Sequence, residues 1–318
     1  MKKLLFLFSI IFLFILTACG QPDDSGSGKT QQNDSKKMTV VTTFYPVYDF
    51  TKKIAGDTAD VHMLIDGGTE VHTYEPSAKD MAMIQDADVF IYASSEMETW
   101  VKSIIKNLDN QKTLVIEASD GIELLSGEED AHEHEAEEEG EGHSHAYDPH
   151  VWLDPVLVKE QVATITDGLI KADSKNKAVY EKNRSAFQQE LDELNQAYET
   201  AFKDAKNRKF VTQHTAFSYL AKRYDLQQVA ISGISPEQEP TPKQLNQMQD
   251  FIKKEGVHVI YTESSASSKI AETISDATGA ELMVLNPLET LSKEERDKGA
   301  DYLSVMRDNL EALKASIN

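Results

Sequence analysis

The chain has 318 residues, a net charge of −22 and a single cysteine. That charge argues against nucleic-acid binding, which usually needs a basic face, and it suits the attraction of cations. One cysteine excludes an internal disulfide and a thiolate metal cluster, so any metal site must be built from His, Asp and Glu.

In chain order, Lys2 and Lys3 precede an apolar run from Leu4 to Leu16, and Leu16-Thr17-Ala18-Cys19 follows. This is the order of a secretory signal peptide. The run is shorter than the about 20 residues a membrane span needs. The cysteine at the cleavage point makes residues 1–19 look like a bacterial lipobox signal, with Cys19 as the lipidated residue. The mature protein is then expected outside the cytoplasm, lipid-anchored to the cell membrane. Residues 20–37 are rich in Gly, Ser, Asp, Asn and Gln and read as a flexible tether.

From there, short apolar and β-branched runs alternate with helical patterns. Strands are expected at Thr39–Thr43, Val61–Ile65, Asp88–Tyr92 and Thr113–Glu117. After an interruption come Lys209–Thr212, Gln228–Ile231, His258–Tyr261 and Glu281–Leu285. Continuous apolar runs of this length suit strands covered on both faces. Helices are expected near Val47–Ile54, Ser77–Gln85, Thr99–Leu108, Ala216–Tyr224, Pro242–Lys254 and Ser267–Ala277. Ser77 with Asp80, Thr241 before Pro242, and Ser292 with Glu295 are helix-start signals. Alternating strands and helices imply parallel βαβ units. Four strands, a gap and four strands imply an α/β fold of two similar lobes, each with a four-stranded parallel sheet flanked by helices.

The gap holds two helical stretches. One starts at Pro155 and runs to about Ala172. The other runs from about Lys175 to Ala205 without Pro or Gly, with Tyr180, Phe187, Leu191, Leu194, Tyr198 and Phe202 near helical spacing. It suits either a stiff connector between lobes or an ordinary packed helix. Ahead of them, residues 126–145 hold nine acidic residues and His132, His134, His143 and His145 with no large apolar side chain. Such a segment cannot pack a core and reads as a disordered insert. Its histidines are accessory candidates for weak metal binding.

Of the nine histidines, three others occupy distinctive loops. His72 follows the second strand, His150 the fourth and His214 the fifth, and Glu289 follows the eighth in the same way. Open α/β sheets bind ligands past the carboxyl ends of their strands. Held by His72 and His150 from one lobe and His214 and Glu289 from the other, a metal would lie in the cleft between them. Imidazoles with one carboxylate suit tetrahedral Zn²⁺. Singly, each histidine is equally an ordinary hydrogen-bonded loop residue, and spacing alone does not establish convergence. His62 and His258 lie in apolar strand runs and read as packed or edge residues.

The segments Thr42-Thr43-Phe44-Tyr45-Pro46, His72-Thr73-Tyr74-Glu75-Pro76-Ser77, Asp148-Pro149-His150-Val151-Trp152-Leu153-Asp154-Pro155 and Thr212-Gln213-His214-Thr215-Ala216-Phe217-Ser218-Tyr219-Leu220 resemble those of the zinc-binding lipoproteins of bacterial metal ABC importers, of the ZnuA/AdcA type. The acidic histidine-rich insert is also similar to that family's. The resemblance runs from Met38 to the end. It implies two lobes joined by one long rigid helix, a single Zn²⁺ in the inter-lobe cleft, and delivery to a membrane permease by a monomer. By motif it implies His72, His150 and His214 as ligands, with Glu289 at the fourth, acidic position in a looser motif. Manganese-binding relatives carry a carboxylate where His214 stands, a harder donor that suits Mn²⁺. Glu70 is either a gating group beside His72 or a solvated loop carboxylate. The organisation expected is then a 38–172 lobe, a 173–206 linking helix and a 207–318 lobe.

Other classes fit less well. A secreted metalloenzyme finds no His-Glu-x-x-His pattern, because after His132-Glu133 position 136 is Ala, and no Gly-x-Ser-x-Gly elbow. Four protein ligands would also leave a catalytic zinc no open position. Metal storage needs many weak sites, and no residue supports an adhesin. The expectation is a binding protein, not an enzyme.

Overall fold

The structure, a computed structural model, describes residues 37–108, 112–127, 146–263 and 267–317. The signal peptide with Cys19, residues 20–36 of the tether, and His132, His134, His143 and His145 lie outside the described residues.

The first half runs β1 (Met38–Thr42), α1 (Tyr45–Ala55), β2 (Ala59–Met63), α2 (Ala78–Asp86), β3 (Val89–Tyr92), α3 (Val101–Ile105) and β4 (Leu114–Glu117). After a 3₁₀ turn at Val151–Leu153 come α4 (Pro155–Ala172), a second 3₁₀ turn at Ser174–Asn176 and α5 (Lys177–Phe202). The second half runs β5 (Lys209–Thr212), α6 (Ser218–Arg223), β6 (Gln227–Ala230), α7 (Pro242–Glu255), β7 (Val259–Thr262), α8 (Lys269–Thr278), β8 (Glu281–Val284), α9 (Lys293–Asp297) and α10 (Tyr302–Leu313). The sheets are entirely parallel, and their orders, β2-β1-β3-β4 and β6-β5-β7-β8, are equivalent.

Local chemistry sets the helix starts. Ser77 and Asp80 close a full capping box on α2, and Thr241 and Gln244 do so on α7. Asp154 accepts from Val156 N at 2.8 Å, and Pro155 occupies the first turn of α4, where no N–H is needed. Pro46 plays that part in α1, which begins two residues before the expected Val47. Gly256 ends α7 at φ +66°, a left-handed position that glycine adopts without strain.

Strand alternation divides the interior. On β1 and β3, Val40, Val89 and Ile91 point into a shared core, while Val41, Phe90 and Tyr92 point into a smaller outer cluster. On β5 and β7, Phe210, Val259 and Tyr261 join the shared core, while Val211 and Ile260 face the other outer cluster. The shared core passes through α1, α4, α5 and α10, so one hydrophobic body spans both halves.

Helix α5 has 26 residues, a length of about 39 Å. It begins two residues after the expected Lys175 because Ser174–Asn176 form a 3₁₀ turn, and it ends at Phe202. Its buried face, Tyr180, Phe187, Leu191, Leu194, Tyr198 and Phe202, packs on α1 and α4 of the first half and α10 of the second. Tyr198 donates to Met306 O on α10 at 2.7 Å. Sequence periodicity does not foresee α10, which carries buried Tyr302, Met306, Leu310 and Leu313. The expected Thr99–Leu108 helix contracts to Val101–Ile105.

Leu191 is fully buried on this face. Leu191→Ala should lower unfolding free energy by about 2–5 kcal/mol. Glu193→Ala, two residues on and on the exposed face, should stay within about 0.5 kcal/mol. Urea titration followed by circular dichroism compares the two, and equal effects would contradict α5 as a core element.

Candidate metal centre

His72, His150, His214 and Glu289 come together across the two halves, each from a loop beyond the carboxyl end of a parallel strand. His72 follows β2, and His150 lies between β4 and α4, at the entry to the 3₁₀ turn. His214 stands two residues beyond β5, and Glu289 follows β8. The side chains of His150 and His214 are fully buried, and those of His72 and Glu289 keep 1% and 4% exposure.

The Nε2 atoms of His72, His150 and His214 lie 3.3, 3.2 and 3.1 Å from a single atom, Oε1 of Glu289. One donor atom from each residue falls within 4.8 Å of all the others. In a tetrahedron with metal–ligand bonds of about 2.0–2.1 Å, neighbouring donors stand about 3.3–3.4 Å apart. The residues therefore have the chemistry and nearly the spacing of a tetrahedral N₃O shell.

Two carboxylates behind the rings orient them. Asp148 Oδ1 accepts from His150 N at 2.9 Å and pairs with its Nδ1 at 2.8 Å. Glu263 Oε1 pairs with His214 Nδ1 at 2.5 Å. With Nδ1–H donated to the carboxylate, the neutral ring turns its Nε2 lone pair to the centre, the tautomer a metal requires. Glu263 immediately follows β7. It and His214 thus occupy the switch point of the second sheet, where the connections leaving the parallel strands β5 and β7 run to opposite sides. Sequence reasoning missed Glu263, although the rule that located His214 also covers it.

The equivalent place in the first sheet is closed by a carboxylate instead. Glu98 Oε1 accepts from Thr43 Oγ1 at 2.5 Å and from Ala93 N at 2.9 Å, and Oε2 from Ser94 N at 3.0 Å. Burial pushes its pKa up to about 7 against those donors.

Glu289 is held by its own neighbours. Leu288 adopts φ +59°, a conformation non-glycine residues rarely take. It persists because Leu288 N donates to Asn286 Oδ1 at 2.8 Å and Trp152 Nε1 donates to Pro287 O at 2.8 Å. Asn309 of α10 accepts from Asn286 N at 2.8 Å and donates to Asn286 O at 2.7 Å.

Burial and charge oppose each other here. Burial alone would lower the pKa of both histidines. Asp148 and Glu289 overturn it for His150, which ends above its ordinary value. Glu263 and Glu289 raise His214 further, well above that value. Burial would raise Glu289, but His214 and the three imidazole contacts hold it well below the usual carboxylate range. Glu70 is half-buried, and its Oε1 accepts from His72 N at 2.9 Å. Burial and the Glu289 charge push its pKa up, so it is not a simply solvated carboxylate. His62, on edge strand β2, and His258, ahead of β7, are both exposed and stand outside the cluster.

The neck of the acidic insert adjoins this site. Ser126 and Tyr147 form an antiparallel bridge. Tyr219 OH accepts from Leu125 N at 2.8 Å and donates to Asp148 O at 2.7 Å, tying the neck to the His150 segment.

The model of the family ZnuA, described as zinc-uptake complex component A, periplasmic, matches residues 40–316. The chain is 49% identical over 317 residues to the high-affinity zinc uptake system protein ZnuA of Bacillus subtilis, covering 99% of this chain and 98% of that protein. It is 45% identical over 314 residues to the zinc-binding lipoprotein AdcA of Streptococcus pneumoniae, of whose length it spans 61%. The Zn(II)-bound ZnuA-like domain of that AdcA superimposes with a TM-score of 0.76 at 45% identity, covering 88% of this chain and 98% of the domain.

Removing an orienting carboxylate should weaken a metal held by the imidazole it supports. Asp148→Ala and Glu263→Ala are each expected to lower Zn²⁺ affinity about 10–100-fold, read by competition with a chelator of known affinity. Wild-type affinity in both would deny these carboxylates a role.

Proposed function

The chain belongs to the ZnuA family of zinc-uptake components, and from that premise we propose that it captures Zn²⁺ outside the cytoplasm on His72, His150, His214 and Glu289 and hands it to the permease of an ABC importer. The observation that carries this reading is the meeting of three Nε2 atoms from three loops on one Glu289 oxygen at 3.1–3.3 Å. The family comprises solute-binding proteins, not enzymes.

The donor set supports the assignment of the cargo. Three imidazoles and one carboxylate match Zn²⁺ better than Mn²⁺, which favours harder oxygen donors. Four protein ligands fill a tetrahedral shell and leave no place for a reacting water, so the site suits capture and release rather than hydrolysis. Among the described residues this is the one such group, as transport of a single ion requires and storage does not. In this reading the signal peptide is removed, Cys19 carries the lipid, and the mature protein acts as a monomer tethered to the membrane by residues 20–37. The histidines of the insert, His132, His134, His143 and His145, bind further zinc weakly.

Competition titration should find one tight Zn²⁺ in the wild-type chain and none in His214→Ala, with weak sites persisting in both. Unchanged tight binding in His214→Ala would remove the assignment. Acidity should act in one direction. Zn²⁺ binds only deprotonated imidazole, and His150 and His214 both hold their protons above the ordinary histidine value. Affinity should therefore begin to fall while the pH is still above that value. Below both pKa values it should drop by roughly a hundredfold per pH unit, one factor of ten for each proton displaced. Glu289 stays ionised throughout this window. Isothermal titration between pH 8 and pH 5 measures the slope, and a flat profile would show that these rings are not ligands.

A further inference from the structure

A metal on these four side chains is shut away, since none keeps more than 4% exposure. It can leave only when a ligand-bearing segment moves. Three of the four are anchored in the interior. His150 precedes Trp152, whose Nε1 bonds Pro287 O at 2.8 Å and whose carbonyl accepts from Tyr302 OH at 2.7 Å. The carbonyl of His214 accepts from Thr212 Oγ1 at 2.8 Å and from Gln228 Nε2 at 3.0 Å. Glu289 hangs from Asn286 and Asn309. The fourth segment, which carries His72, keeps Val71 in the core, but around it residues 66–69, Thr73, Glu75 and Ser77 are all exposed. Exposed loops with few buried contacts are where proteins open first.

That loop is nevertheless tied to the far side, and to the stretch that carries Glu289. Asp66 Oδ1 accepts from Arg296 Nη2 at 2.6 Å and from Gly67 N at 2.8 Å. The Arg296 guanidinium lies 5.7 Å over the Tyr48 ring on α1, which adds a cation–π contact. Beside this ion pair the backbones themselves meet: a Cβ on Gly67 would stand 2.7 Å from Ser292 Cα and 3.0 Å from Ser292 N. Gly67 is not among the glycines with positive φ. Its lack of a side chain therefore serves close approach rather than backbone conformation. Ser292 cannot easily yield, because it caps α9 through a capping box with Glu295, and α9 carries Arg296.

We propose that Asp66, Gly67 and Arg296 form a latch between the His72 loop and the Glu289 loop that sets how fast bound Zn²⁺ leaves. This rests on the reading that His72 and Glu289 hold the ion. The three act as positioning residues and touch no metal. Closing the latch brings His72 within ligand distance of Glu289; opening it withdraws His72 and exposes the site.

The test is stopped-flow release of Zn²⁺ from the loaded mature chain into excess fluorescent chelator, with the association rate and metal-free thermal midpoint measured alongside. Exposed ion pairs are worth little, so Arg296→Gln and Asp66→Asn should speed release roughly two- to fivefold. Gly67→Ala, which sets a methyl group against backbone, should speed it about tenfold or more. Association rates and metal-free midpoints should stay near wild type, and the charge-exchanged double variant Asp66→Arg with Arg296→Asp should recover part of the slow release. Wild-type release in both Arg296→Gln and Gly67→Ala overturns the latch. So does faster release that merely tracks a loss of metal-free stability, or a double variant no slower than Asp66→Arg or Arg296→Asp alone. If the wild-type chain holds no tight Zn²⁺, or His72→Ala releases it at the wild-type rate, the ligand assignment itself falls and the latch with it. That result is distinct from the first three.

Discussion

Three imidazoles and a carboxylate buried around one point must satisfy two opposing demands, and most of the structure serves that compromise. Burial disfavours every charged form, and an unpaired buried charge costs several kcal/mol. Glu289 is tolerable in the interior because three ring nitrogens surround one of its oxygens. His150 and His214 stay aligned because Asp148 and Glu263 hold their outer nitrogens. The same carboxylates that fix the tautomer also bind the rings' protons more tightly. Orientation for metal and competition from protons are therefore two consequences of one contact.

The parallel sheets make this arrangement possible. Parallel strands direct their carboxyl ends to one edge, so loops distant in sequence open on a common surface. The two halves have the same strand order but use it differently. In the second sheet the switch point presents His214 backed by Glu263. In the first it is sealed by Glu98 against Thr43, Ala93 and Ser94, and the candidate ligands come instead from beyond edge strands β2 and β4. The halves thus share an architecture without placing equivalent residues at the candidate site.

A single hydrophobic cluster passes from α1 and α4 through α5 to α10 and both sheets. Separating the halves as rigid bodies would expose that cluster to water, at about 25 cal/mol for each Å² of apolar surface. Exchange of the ion is cheaper through a local movement of an exposed loop than through a hinge. Buried hydrogen bonds from Trp152, Tyr302 and Tyr198 reinforce the same division between a fixed interior and a yielding surface segment.

What the sequence determined by itself is what depends on near neighbours in the chain. The central strands β1, β3, β5 and β7 were legible as short apolar runs because a buried parallel strand has no polar face to interrupt it. Helices α2, α4 and α7 announced their starts through Ser77, Pro155 and Thr241, whose side chains or rings act on backbone within one turn. The loop positions of His72, His150 and His214 followed from strand order alone. Tertiary structure decided the rest. That the three Nε2 atoms share one oxygen of Glu289, that Glu263 stands behind His214 and that Asn309 of α10 holds the Glu289 loop are contacts between residues 23 to 217 positions apart. No local periodicity encodes them. Gly67 shows the limit best: its value lies in the Ser292 backbone packed against it, a neighbour that exists only once both halves have folded onto their common core.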